Sequence, residues 1–391
     1  MSWSNVAIDE IFEVARGGSP RPIQKFLTDD ADGINWVMIS DASLSNKYIT
    51  KTKQRIIPEG RKKSREVKTG DFLLTNSMSF GRPYIMKTSG CIHDGWLLLR
   101  PRSEQVHQDF FYHLLGSSEI YARFAARAPG STVKNLNSEI VRETLVPLPP
   151  LEEQKRIAAI LDQADSLRRL RQRAIDRLNT LGQAIFYEMF GDPIANQKGW
   201  PSKSLEELCD SINDCPHSTP TWTDKGVTCL RTSNITIGSW AWSDKRYVSE
   251  EAYHERSKRG YLKEGDIVLS REGTVGIAAI VPHEARWCMG QRLVQVRPSS
   301  SVMNSECLLR LLLYVLAPDR INHVMVGSTS RHLNVKELRK LRLIVPPLYL
   351  QNVFSERMKA ISAFSSEYST ALMSSTCLIS SLQHRAFRGE L

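Results

Sequence analysis

A stretch of 25 residues occurs twice in this chain, and no other feature of the sequence restricts the fold as strongly. Residues 130–154 read GSTVKNLNSEIVRETLVPLPPLEEQ and residues 327–351 read GSTSRHLNVKELRKLRLIVPPLYLQ. At a constant offset of 197 they share ten identities: Gly130/Gly327, Ser131/Ser328, Thr132/Thr329, Leu136/Leu333, Asn137/Asn334, Arg142/Arg339, Pro149/Pro346, Pro150/Pro347, Leu151/Leu348 and Gln154/Gln351. Lys134/Arg331 also keeps its charge. Such a repeat implies a duplicated structural unit. Weaker echoes flank it. Val67-Lys68-Thr69-Gly70-Asp71-Phe72-Leu73-Leu74 answers Leu262-Lys263-Glu264-Gly265-Asp266-Ile267-Val268-Leu269, and Arg100-Pro101 answers Arg297-Pro298. Between these anchors the copies diverge almost completely, which suggests one scaffold carrying two binding specificities.

At 391 residues the chain accommodates two domains, each with its own core. No run of 18 apolar residues exists and the N-terminus lacks a basic–apolar–small pattern, so a soluble, cytoplasmic protein without membrane association is expected. The seven cysteines (Cys91, Cys209, Cys215, Cys229, Cys288, Cys307, Cys377) form no CxxC pair, which favours buried reduced thiols over disulfides or a zinc site. Residues 1–150 carry 20 Lys+Arg against 16 Asp+Glu, and residues 200–348 carry the same 20 against 16. Most of the net charge of +10 therefore sits in the two divergent halves. That suits a polyanion such as DNA, although an ordinary solubility surplus accounts for it as well.

Pro147-Leu148-Pro149-Pro150 closes the first globular segment, because proline cannot join a strand interior. The spacing of Ile157, Ile160, Ala164, Leu167, Ala174, Leu178, Leu181 and Ile185 predicts a helix over 152–190 with a heptad seam broken at Arg171. At 1.5 Å per residue it spans about 60 Å. Pro346-Pro347 introduces a second helix to about Arg388, with Phe354, Ile361, Phe364, Tyr368, Ala371, Leu378 and Leu382 on one face. Its many serines make it the poorer helix, so packing against the first must support it. Leu161, Ile175, Phe186 and Met358 fall outside the shared seam and suggest a further partner-binding surface. Strands at 72–74, 95–100 and 293–297 and helices at 110–124 and 305–316 give the halves a mixed character, with a partly open sheet or barrel favoured over a doubly wound sheet. The expected fold is α+β: two mixed α/β domains related by the repeat, separated by two long helices pairing as an antiparallel coiled coil. The expected segments are 1–150, 151–192, 193–347 and 348–391.

Asn137 and Asn334 read as helix N-caps after the Gly-Ser-Thr loops, and Glu337 sits where a capping box needs it. Ser131, Thr132 and Lys134, with Ser328, Thr329 and Arg331, have the hydroxyls and charge to hold a phosphate; a purely structural turn of small residues is the compatible alternative. The basic clusters Arg61-Lys62-Lys63-Ser64-Arg65 and Arg256-Ser257-Lys258-Arg259 recur at the same place in both copies. This makes Lys62, Lys63, Arg65, Lys258 and Arg259 candidates for DNA contact, against the alternative of a solvated surface. Arg82, Tyr84, His93, Arg271 and Arg292, in the divergent parts, are candidates for base readout. Arg168-Arg169-Leu170-Arg171-Gln172-Arg173 on the first helix either touches DNA or pairs with Asp162, Asp165 and Asp176. Glu59, Glu66 and Lys68 loosely resemble a metal-dependent nuclease site, but the second copy has no counterpart. There is no GxxxxGK[ST] loop, no Asn-Pro-Pro-Tyr type motif and no zinc-ligand spacing. A binding subunit without catalytic residues follows. The rivals are a nuclease or methyltransferase acting alone, and a coiled-coil adaptor for proteins.

In combination, Pro147-Leu148-Pro149-Pro150-Leu151-Glu152-Glu153-Gln154-Lys155-Arg156-Ile157, Met189-Phe190-Gly191-Asp192-Pro193, Lys198-Gly199-Trp200-Pro201, the two Gly-Ser-Thr loops and the degenerate Pro346-Pro347-Leu348 copy resemble the specificity subunits of type I restriction–modification systems. The resemblance spans the whole chain. It implies two target-recognition domains, each reading half of a bipartite double-stranded DNA site. It also implies constant helices that dock two methyltransferase subunits and, through them, restriction endonuclease/translocase subunits. S-adenosylmethionine, ATP and Mg are then expected in those partners and no cofactor in this chain. Tyr349-Leu350-Gln351-Asn352-Val353 replaces the charged Glu-Glu-Gln-Lys-Arg run in the second copy, which puts equal docking of both partners in doubt.

Overall fold

The computed structural model describes residues 3–43, 47–76, 79–129, 135–321, 325–326 and 332–391. They form two compact units: Met1–Arg173 with Ser369–Leu391, and Ala174–Tyr368. A central helix, Leu151–Phe190, and a C-terminal helix, Leu348–Ala386, each contribute one part to each unit.

In the first unit the strand Trp96–Pro101 is flanked by Phe12–Arg16 and Phe72–Thr75, both antiparallel, and Pro83–Met86 and Tyr48–Ile49 continue the sheet. A second sheet pairs Ile34–Val37 in parallel with Gly90–Ile92. Side chains alternate across the first sheet. Phe72, Leu74, Leu97 and Leu99 face the helices, whereas Leu73, Tyr84, Trp96 and Leu98 face the second sheet. Burial on both faces explains why these strands read as unbroken apolar runs. The segment expected as one helix over 110–124 is two, Gln108–Leu115 and Ser118–Arg127, because Gly116-Ser117 ends the first and Ser117 caps the second.

The second unit repeats the plan. Leu293–Pro298 lies between Cys209–Asp214 and Ile267–Ser270, Ala278–Ile280 follows, and Val227–Leu230 runs parallel to Trp287–Met289. The outermost strand pairs also correspond: Ser4–Ala7 with Leu145–Leu148, and Ser202–Ser204 with Arg342–Ile344.

The residues shared by the two copies build this frame. Arg100 grips Asp71 in a two-pronged ion pair at 2.9 and 2.7 Å, and Arg297 grips Asp266 at 2.7 and 2.8 Å. Each carboxylate also accepts a backbone N–H at 2.8 Å, from Lys68 or Lys263. Gly70 and Gly265 precede them at φ +96° and +83°, where a side chain is disfavoured. The two weak sequence echoes, Gly-Asp and Arg-Pro, thus meet in space. Arg142 and Arg339 donate to the carbonyls of Val14 and Ile212 at 2.6 and 2.5 Å. Asn137 and Asn334 cap their helices as their spacing predicts.

Within the first unit Ala386 and Phe387 join Ile157, Ala158 and Leu161 in the core, and Arg171 donates to the Ala371 carbonyl at 2.8 Å and to Ser375. Within the second, Phe186, Phe190 and Phe354 pack edge to face, and a side chain on Gly182 would meet Met358 Cε at 2.6 Å. The helices therefore pair antiparallel. The seam is narrower than the heptad spacing implies: Leu167, Leu181, Phe364 and Leu378 are exposed. Ser374, Ser375 and Ser380 return hydrogen bonds to carbonyls one turn back, which satisfies their hydroxyls inside the helix. All seven cysteines are free; contrary to expectation, Cys377 is exposed.

The first unit adds a polar joint to the central helix. Lys47, 6% exposed, bridges Asp109 and Asp162 at 2.7 Å each, and His113 Nε2 lies 2.7 Å from Asp162. Burial works to raise the Asp162 carboxyl, but the hydrogen bonds to His113 and Lys47 outweigh it and hold it below the usual carboxylate range.

Two outcomes follow. Replacing Asp71 or Asp266 by Ala removes the buried carboxylate that a guanidinium and a backbone N–H share, and each substitution is expected to cost about 2–4 kcal/mol in denaturant unfolding; unchanged midpoints would contradict the account. Because the folded pKa of Asp162 is depressed, its contribution is present above the ordinary carboxylate value of 3.8 and lost as pH falls through the folded value. Asp162→Asn should therefore cost about 1 kcal/mol at neutral pH, a figure limited by solvent screening, and should flatten the acid limb of the first unit's stability profile. An acid limb identical to wild type would refute this.

Candidate nucleic-acid interface

Each unit has a rim of loops where the strands Phe72–Thr75 and Ile267–Ser270 end. Thr75 Oγ1 donates to the Ser79 carbonyl and accepts from Arg82 N, and Gly81 N closes the turn on the Thr75 carbonyl. Ser270 and Gly276 repeat the last of these contacts. Leu136 N reaches the Asn76 carbonyl at 2.7 Å and Leu333 N the Arg271 carbonyl at 2.8 Å, which brings the chain leaving each Gly-Ser-Thr loop to the same rim. Ser131, Thr132, Lys134, Ser328, Thr329 and Arg331 themselves lie outside the described residues.

Asp94 organises the first rim. Its carboxylate accepts from Ser19 Oγ at 2.8 Å and pairs with Arg21 at 3.5 Å; its carbonyl accepts from Arg16 Nε and Asn76 Nδ2. The hydrogen bond from Ser19 does most to hold the Asp94 carboxyl below its ordinary range. Beside it, His93 packs against Trp36 and Trp96, and burial lowers its pKa. His93 Nδ1 accepts from Gly95 N at 2.9 Å, so the neutral ring carries its proton on Nε2, a buried donor with no protein partner. The ring lines a cleft of about 450 Å³ with Arg21, Trp36, Gln54 and Asp94. Lys62, Lys63 and Arg65 are exposed; Lys63 lies over the Phe26 ring and Arg65 donates to the Arg16 carbonyl. Arg82 is exposed over the Tyr84 ring. Tyr84 itself is 1% exposed and packs edge to face on Trp96, so it belongs to the core and not to a reading surface.

Asp214 has the same organising role in the second rim, with different partners. Arg271 Nη1 binds both its oxygens at 2.7 Å, His217 Nε2 lies at 3.3 Å, and Arg259 donates to the carbonyls of Asp214 and Cys215. Arg271, expected as a free reader, is consequently a largely buried brace. Arg292 is exposed beside Glu272, in the left-handed backbone region at φ +67°. Lys258 is exposed and paired with Glu255. Arg65 and Arg259, from the recurrent basic clusters, thus brace equivalent strand ends. Arg256 is buried, donating to the carbonyls of Met289, Ser218 and Pro216. The hubs Asp94 and Asp214 carry no signal in the sequence, because they fall outside the echoed anchors.

Of the proposed partner surface, Leu161, Phe186 and Met358 lie in the cores of the units, where the helices meet the sheets, and Ile175 is half-buried. The exposed apolar side chains of the helices include Leu167, Leu170, Leu181, Tyr349, Phe364 and Met373. Glu66 is taken up by a two-pronged pair with Arg61. Among the described residues no group of three His, Cys, Asp or Glu side chains is arranged to hold a metal ion, and no helix is long and apolar enough to cross a membrane.

Comparison with known proteins agrees with this duplicated plan. The chain is 21% identical over 379 residues to the MjaVIII specificity subunit of Methanocaldococcus jannaschii, covering 92% of this chain and 86% of the relative. It is 21% identical over 425 residues to the EcoBI specificity subunit of Escherichia coli, covering 100% and 86%. The fold matches a solved chain of a type I R-M system with a TM-score of 0.61 at 20% identity, covering 100% of this chain and 98% of that one. It also matches the S subunit of M. genitalium with a TM-score of 0.55 at 17% identity, covering 99% and 96%. The family model of the type I restriction modification DNA specificity domain matches twice, over residues 1–180 and 197–372, and the chain belongs to that family.

Proposed function

We propose that this chain is the DNA-specificity subunit of a type I restriction–modification complex and reads a bipartite, asymmetric duplex site, one half through residues 1–150 and the other through residues 193–347. The observation that carries this reading is that one backbone frame ends in two rims with different side chains. The first presents Arg21, Lys62, Lys63 and Arg82 beside the cleft that the His93 ring lines; the second presents His217, Lys258 and Arg292. Arg292 supports it further, since a non-glycine left-handed residue at a rim stores strain characteristic of functional positions. The Gly-Ser-Thr loops, with Lys134 and Arg331, contact phosphates in both half-sites and supply affinity without sequence information. The long helices at 151–192 and 348–391 dock two methyltransferase subunits through exposed apolar side chains such as Leu167, Leu170 and Phe364, and restriction subunits join through them. The chain has no catalysis of its own. S-adenosylmethionine, ATP and Mg belong to the partners, and the complex acts in the cytoplasm.

Mobility-shift competition with the assembled complex should show a selected duplex surviving an excess of random duplex. Arg292→Gln should relax only the second half-site, by about 1–3 kcal/mol if a two-pronged base contact is lost. Equal competition by random DNA, or cleavage of DNA by the isolated chain with Mg²⁺, would overturn the proposal.

A further inference from the structure

A cleft of about 330 Å³ opens where the first recognition domain meets the central helix. Arg82 and Pro83 from the rim, Tyr112 and His113 from the helix Gln108–Leu115, and Asp165, Arg168 and Arg169 from the central helix line it. Positive charge exceeds negative there. Asp165 is shared by two guanidiniums: Arg168 reaches its Oδ1 through Nε and Nη2 at 2.9 and 2.7 Å, and Arg169 reaches its Oδ2. Arg169 Nε is buried and has no acceptor. Among the described residues no carboxylate pairs with Arg82, whose guanidinium lies 5.4 Å over the Tyr84 ring. Three fixed cations against one carboxylate, with donors left over, suit an oxygen-rich anion. Exposed Tyr121, set edge to face on Phe80 at 5.6 Å, forms an aromatic wall of the same cleft.

The repeat provides an internal comparison. At the offset of 197, Asp165, Arg168 and Arg169 become Ser362, Ser365 and Ser366, and the residue after the equivalent turn glycine is Ile277 in place of Arg82. The frame is shared, but this charge belongs to the first unit alone.

We infer that the cleft formed by Arg82, Arg168 and Arg169 binds a backbone phosphate of DNA beside the first half-site, a contact for which the second half-site has no equivalent. The inference rests on the DNA-specificity reading above and adds a site to it. The cleft shares the rim turn that ends at Arg82, so a duplex seated on the first rim brings its backbone to the cleft mouth. A phosphate there meets the solvent-facing parts of the Arg82, Arg168 and Arg169 guanidiniums, whose charge Asp165 alone does not balance.

The test uses the assembled complex. Each phosphate contact adds about 0.9 to the salt slope of binding. The disadvantage of Arg82→Gln against wild type should therefore shrink about three- to fourfold between 50 and 200 mM salt, on cognate and random duplexes alike. Arg168→Gln with Arg169→Gln should act in the same direction. Methylphosphonate placed singly along the cognate duplex should weaken wild-type binding at a phosphate beside the first half-site, and that effect should vanish in Arg82→Gln. Arg82→Gln breaks no ion pair among the described residues, so it keeps the test valid if the double variant misfolds. A wild-type salt slope in Arg82→Gln, or the same methylphosphonate profile in variant and wild type, overturns the cleft while leaving the general reading intact. Loss of methyltransferase co-purification in the absence of DNA would also overturn it, by assigning the cleft to a partner's carboxylate. If wild type prefers no bipartite duplex, the reading and the cleft fall together.

Discussion

One buried glutamine fixes each long helix to its domain, and the rest of the arrangement depends on the pair. Gln154 accepts from His107 N at 2.9 Å and donates to the carbonyls of Gln105 and Pro149; Gln351 accepts from Asn304 N at 2.8 Å and donates to those of Val302 and Pro346. An amide in such a position must satisfy both ends, because an unmade hydrogen bond there costs about 1–3 kcal/mol. Each side chain therefore locks three things together: the first turn of a long helix, the prolines before it, and the loop that starts the domain's own helix. Without that lock a long helix would be a tether. With it, the first turn of the helix is anchored to the domain.

The same logic runs through the remaining identities. Asp71 and Arg100 recur as Asp266 and Arg297, Arg142 recurs as Arg339, and every one of these side chains is spent on the frame. Variation begins one layer away. Where the first unit has Leu98 between its sheets, the second has Gln295, fully buried and hydrogen-bonded to Asp266 and Asn213. Where the first rim has Asn76 donating to the Asp94 carbonyl, the second has Arg271 clamped on Asp214. A frame held by polar contacts between fixed partners tolerates such exchange, since the contacts do not depend on what fills the rims.

The duplication, both long helices and the caps at Asn137 and Asn334 were legible because repeated identity and apolar periodicity are local signals. The meeting of Gly70-Asp71 with Arg100 was half legible: both motifs were visible, but not that they form one ion pair. The site was harder to read. Tyr84 and Arg271 have the side chains of base readers, and only burial against Trp96 and pairing with Asp214 show otherwise. Heptad spacing places Leu161, Phe186 and Met358 outside the seam because it takes a partner helix as the only apolar neighbour, whereas the sheets bury further faces of each helix. Lys47 gave no signal at all, since its partners Asp109 and Asp162 lie 62 and 115 residues away.

The central claim is that two copies of one frame read DNA independently through what differs between them. Its most direct test is a domain exchange, in which residues 1–150 are replaced by the matching domain of another specificity subunit and the sites methylated by the resulting complex are sequenced. The account predicts a new first half-site joined to the old second one. A hybrid that assembles and methylates, yet changes both half-sites or neither, would contradict it.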